Sequence, residues 1–100
     1  MKPKDIKKII YSILKEISEG DSIPTDKDYK ITKAQFFQIL NLMKEEGYLN
    51  SKKISFYIDG SVYIEKSLDT ITMKGWEFLE ENNAWAKIYK GVKEFSSFLP

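Results

Sequence analysis

The chain has no cysteine and no histidine. The first absence removes disulfides, thiol nucleophiles and thiolate metal sites. The second removes the commonest general base and the commonest metal ligand. A metal centre or catalytic triad would have to be assembled from carboxylates alone, so no cofactor, no metal and no small-molecule substrate is expected. Arginine is missing too, and all sixteen basic residues are lysines. Lysine binds phosphate as a point charge and lacks the bidentate fork that reads guanine. Apolar runs are short, so no membrane span is expected. The opening Met1-Lys2-Pro3-Lys4-Asp5 lacks the apolar stretch of a secretory signal, and the expectation is a cytoplasmic protein.

What remains describes one small globular domain over residues 1–100. The composition is 42% hydrophobic and 14% aromatic with a net charge of +1, enough for one core and unlike a disordered chain. Residues 4–19 carry Ile6, Ile9, Ile10, Ile13, Leu14 and Ile17 at helical spacing, and Gly20 is expected to stop that helix. Over 23–31, Pro24 argues against a long element, and Thr25-Asp26-Lys27-Asp28 is compatible with one helical turn. Thr32, with Gln35 three residues on, predicts a capped helix over 32–46 ending at Gly47. Its buried face is Phe36, Ile39, Leu40 and Met43; its opposite face is Ala34, Gln38, Asn41 and Glu45.

The period then changes to two. Ile54, Phe56 and Ile58 alternate with polar or aromatic positions, Asp59-Gly60-Ser61 turns the chain, and Val62 and Ile64 continue the alternation. This pattern predicts a β-hairpin within a wing of about 49–71. Thr72 caps a further helix over 73–82, in which an early Gly75 implies close approach of another backbone. A last helix is expected over 84–98, with Trp85, Ile88, Tyr89, Val92, Phe95 and Leu99 forming a narrow apolar seam.

The expected architecture is α+β and mostly helical: a helix-turn-helix-like core, a β-hairpin wing and two C-terminal helices, which together outline a winged helix. Ile71-Thr72-Met73-Lys74-Gly75-Trp76-Glu77-Phe78-Leu79 is similar to the phrase that opens the helix after the wing in such proteins. Several stretches go further. They are Ile13-Leu14-Lys15-Glu16-Ile17 with Glu19-Gly20, Thr32, Gln35 and Phe36, Glu46-Gly47-Tyr48, Thr72, Lys74-Gly75, Leu79 through Asn82, and Trp85, Lys87, Tyr89 and Lys90. On these the chain resembles the YjcQ family, small winged-helix proteins of low-GC Gram-positive bacteria and their prophages. The resemblance covers nearly the whole chain, rests on framework residues and brings no catalytic residues with it. A hydrophobic Phe37 in the middle helix departs from the pattern.

The leading functional expectation is a non-enzymatic, DNA-binding regulator of phage or mobile-element origin. In it Thr32 and Lys33 sit at a helix N-terminus suited to phosphate. Gln38 and Asn41 read adenine from one face, and Lys52, Lys53 and Lys66 flank the wing. The charge balance is unfavourable: residues 20–50 carry four lysines against five acids, and 51–71 carry three of each. The alternative is a protein-interaction module, binding a second copy or a host protein through Phe37 and the seam Trp85, Ile88, Tyr89, Val92, Phe95 and Leu99. That seam could equally pack on the first helix of its own chain. The acidic pairs Asp26/Asp28, Glu45/Glu46 and Glu80/Glu81 read as solvated surface, since adjacent helical residues do not face each other.

Overall fold

A computed structural model describes residues 1–19 and 22–99. The expected stop at Gly20 lies outside the described residues. Helix α1 is Pro3–Glu19, α2 Asp26–Tyr29, α3 Lys33–Glu45, α4 Met73–Glu81 and α5 Val92–Phe95; strands β1 and β2 are Ile54–Phe56 and Val62–Ile64. Short 3-10 turns cover Ser51–Lys53, Asn83–Lys87 and Ser96–Phe98. The order is that of a mostly helical α+β fold with a hairpin wing.

Local chemistry explains most boundaries. Thr32 Oγ1 accepts the Gln35 N–H and Gln35 Oε1 accepts the Thr32 N–H, both at 3.0 Å, closing the capping box that starts α3. At the other end Gly47 takes φ +82°, and the Tyr48 N–H reaches back to the Met43 carbonyl at 2.9 Å. Thr72 ties wing to core. Its Oγ1 accepts the Gly75 N–H at 3.0 Å, capping α4, and donates to the Gly47 carbonyl at the end of α3. A Leu49–Ile71 antiparallel bridge closes the base of the wing beside it.

The core lies under α1. Ile9, Ile10, Ile13, Leu14 and Ile17 pack with Phe36, Ile39, Leu40 and Met43 from α3 and with Phe78 from α4. The hairpin pairs Ile54 with Ile64 and Phe56 with Val62, turning these four toward the core and Ser55 and Tyr63 outward. The Cα radius of gyration, 12.5 Å, is that of a compact chain of this length. Among the described residues no helix is long and apolar enough to cross a membrane.

Two expectations are corrected. Ile58 does not continue the inward alternation of β1. The Gly60 N–H bonds to the Tyr57 carbonyl at 3.0 Å and Gly60 adopts φ +85°, so a turn begins at Tyr57 and leaves Ile58 fully exposed at the tip. The last helix expected over 84–98 is also not continuous. It divides into the turn Asn83–Lys87, α5 and the turn Ser96–Phe98. The break falls at Gly91, whose φ of +130° is a backbone conformation open to glycine and strained for other residues.

Candidate functional site

The second long helix and the wing lie side by side, and the side chains expected to contact DNA are not all gathered on the face they form: Lys33 and Gln38 line a groove against the hairpin tip, whereas Lys66 lines a hollow with Ile17, Ser18 and Trp76. Thr32 is exposed, but its hydroxyl is occupied by the capping box. Lys33 and Gln38 are exposed and Asn41 is half-buried one turn further along α3. Lys52 is exposed in the turn preceding β1. Lys53 is committed elsewhere: its ammonium lies 3.1 Å from Glu65 and 3.6 Å from Asp69. The hydrogen bond to Glu65 and the two negative charges push its pKa up, fixing it as a paired cation. Lys66 is exposed and engaged in an interaction of its own. At the wing tip, Asp59 accepts from the hydroxyl and N–H of Ser61 at 2.6 and 2.9 Å. Those bonds, with the positive charge of Lys33, hold its carboxyl below the usual range. With Lys53 held by two acids and Asp59 near Lys33, the described residues of this face do not make the basic stripe typical of a nucleic-acid surface.

Its apolar content is more distinctive. Phe37 packs edge-on against Phe56 of β1, centroids 4.7 Å apart, and Lys44 covers the same Phe56 ring at 5.2 Å. Phe37 is thus half-buried between helix and wing. Beside it a groove of about 660 Å³ runs between α3 and the hairpin tip, walled by Ala34, Phe37, Gln38, Tyr57 and Ile58. Tyr57 is 53% and Ile58 109% exposed, and Tyr63 projects from the outer face of β2 at 59%. Sequence alternation placed Ile58 inward and so missed it; the Asp59-Gly60 turn signal immediately after it was the available clue.

The C-terminal seam has a different place. Phe95 is fully buried and Trp85, Ile88, Tyr89, Val92 and Leu99 are half-buried against the core. Tyr11 of α1 meets the rings of Trp85, Tyr89 and Phe95 at centroid distances of 5.7, 6.1 and 6.2 Å. Tyr11, which lies off the isoleucine stripe, is buried under these rings, and Ser12 beside it is buried as well. The Tyr29 hydroxyl donates to Ser12 Oγ at 2.9 Å, and Tyr89 donates to the Glu16 carboxylate. Burial raises both tyrosine pKa values well above the ordinary 10, with Glu16 adding to the rise at Tyr89.

The YjcQ family model matches residues 11–97, from the middle of α1 to the final turn. The chain belongs to the YjcQ family. It is 36% identical over 92 residues to the uncharacterized protein YjcQ of Bacillus subtilis (strain 168), an alignment covering 92% of this chain and 95% of that relative. No solved structure matches it significantly. The YjcQ match spans both the α3–wing face and the seam.

Proposed function

We propose that this YjcQ-family chain is a non-enzymatic winged-helix domain whose α3–wing face docks on a protein partner. The observation that carries this reading is the apolar groove bounded by Ala34, Phe37, Tyr57 and Ile58, with Ile58 wholly exposed at its lip. Tyrosines and exposed aliphatic anchors around a groove are the material of protein interfaces. The paired state of Lys53 and the proximity of Asp59 to Lys33 reduce what the same face offers to phosphates.

Duplex DNA is the second reading, favoured by Gln38 and Asn41 standing one turn apart on α3. Contacts from Lys33, Lys52 and Lys66 would neutralise three phosphates at most. Affinity would then fall roughly 40-fold between about 50 and 200 mM salt, which describes a weak monomeric binder.

One experiment separates the two readings. A photo-reactive amino acid is placed at position 58 of the full chain, produced in cells that carry the natural gene, and cross-linked. The expected product is a discrete adduct that resists nuclease, is degraded by protease and disappears with Ala34→Glu, which fills the groove with charge. A nuclease-sensitive adduct, together with duplex binding in vitro that Gln38→Ala/Asn41→Ala abolishes, would overturn the protein reading in favour of DNA. Labelling no stronger than from exposed position 87 would overturn both.

A further inference from the structure

The outer edge of β2 is unpaired, and a slot runs beside it. The Tyr57 N–H bonds to the Ser61 carbonyl at 3.0 Å and the Glu65 N–H to the Lys53 carbonyl at 2.9 Å. Between those bonds, antiparallel alternation makes Ser55 and Tyr63 the hydrogen-bonded pair of the β1–β2 ladder. The N–H and C=O groups of Val62 and Ile64 therefore point away from β1. Among the described residues no backbone bond reaches them on that side. A slot of about 300 Å³ is walled by Val62 and Ile64, by Phe36 and Leu40 of α3, and by Ile23 and Pro24. No residue of β1 lines it. Val62 is half-buried and Ile64 buried, so the edge is recessed, and unpaired backbone groups in a recess are costly.

The chain's own segment across the slot is unfit to be the missing strand. Pro24 has no N–H to give. The Thr25 N–H is spent on Asp28 Oδ2 at 2.8 Å, and the Thr25 carbonyl accepts the Asp28 N–H at 3.1 Å. Starting α2 thus consumes the polar groups that a third strand would need. The β2 edge offers partial positive charge at each N–H and partial negative charge at each C=O, in alternation. The complement of that row is another extended backbone. A helix is excluded, because its own N–H and C=O groups are bonded internally.

We propose that an extended segment of the partner protein adds antiparallel to the outer edge of β2 as a third strand. The inference rests on the protein-docking reading above, since slot and groove adjoin at Lys33, Phe37 and Gly60. Residues opposite Val62 and Ile64 share their face of the sheet. The segment therefore carries an apolar side chain at every second position, directed at Phe36 and Leu40. The probe is the peptide acetyl-Lys-Thr-Val-Thr-Val-Thr-Lys-amide, titrated into the full chain while backbone amides are followed by NMR. Saturable downfield shifts and slowed solvent exchange are expected at the Val62 and Ile64 amides. The Tyr63 amide, already bonded to β1, is expected to move far less. N-methylation of both peptide valines is expected to weaken binding about tenfold or more, the worth of two backbone hydrogen bonds.

Val62→Pro tests the same edge from this chain. It removes one outward donor and spares the β1 ladder, which does not use the Val62 N–H. Peptide binding is expected to fall about fivefold or more. Should Val62→Pro fail to fold, the N-methylated peptide decides the question on the unaltered chain. The proposal is overturned if the peptide produces no saturable shift at Val62 and Ile64. It is equally overturned if the N-methylated peptide, or the folded Val62→Pro chain, binds as tightly as its parent. Protection of Ile64 that rises with protein concentration in the absence of peptide would overturn it in favour of pairing between two copies. A protein adduct at position 58 without these peptide shifts would defeat strand addition and leave docking itself intact.

Discussion

Gly75 shows how closely a single residue is constrained. A Cβ at this position would collide with the Tyr48 carbonyl oxygen and stand 2.7 Å from Ile71 Cγ2. Backbone blocks it on one side, and the Leu49–Ile71 bridge holds both neighbours in place. Gly75→Ala, ordinarily helpful within a helix, is therefore expected to lower stability by about 2–3 kcal/mol through overpacking. Urea unfolding measures this, and an unchanged midpoint would show that the wing base can move away. The glycine was legible in the sequence as a site of close approach, because it is a poor helix former placed just after a good N-cap. The burial of Asp5 was not legible: an acid near the start of a helix looks solvated until the C-terminal segment is known to lie over it.

Among the elements, those with strong local signals were read correctly. The stripe of α1, the capping box of α3 and the Thr72 cap of α4 each depend on residues a few positions apart. The C-terminal element was misread because aromatic residues at heptad-like spacing imitate one helix. The chain instead breaks at Gly91 and fits separate short pieces against α1. Short helical pieces have little stability of their own, so their order must come from packing, above all from Phe95, which is 0% exposed. Phe95→Ala is expected to cost about 3–5 kcal/mol and to sharpen the NMR resonances of residues 84–99 as they detach. A cooperative transition at the parent temperature with those resonances unmoved would contradict this placement.

At the scale of the whole molecule, α1, α2 and the C-terminal segment meet at hydroxyls: Tyr29 on Ser12, and Tyr89 on Glu16. Both tyrosines have raised pKa values, so the folded chain keeps protons that the unfolded chain releases near pH 10. The folded state then binds more protons, and stability falls as pH rises. Their contribution is complete below the unfolded value and is lost progressively above it. The urea midpoint should decline between about pH 9 and pH 11, and Tyr29→Phe should make that decline shallower. An identical slope in the variant would show that the Tyr29 proton has no such linkage.

The sequence by itself determined the order of elements as far as α4, the fold class and the family, because each depends on periodicity, capping and turn residues close together in the chain. The tertiary structure decided which residues are accessible. Lys53 is paired because Glu65 and Asp69 come beside it across the hairpin. The aromatic seam turns inward because Tyr11 of α1 receives it. Ile58 stands exposed because the turn begins one residue before it. Pairing and burial are set by neighbours distant in sequence, and neither periodicity nor spacing specifies those neighbours.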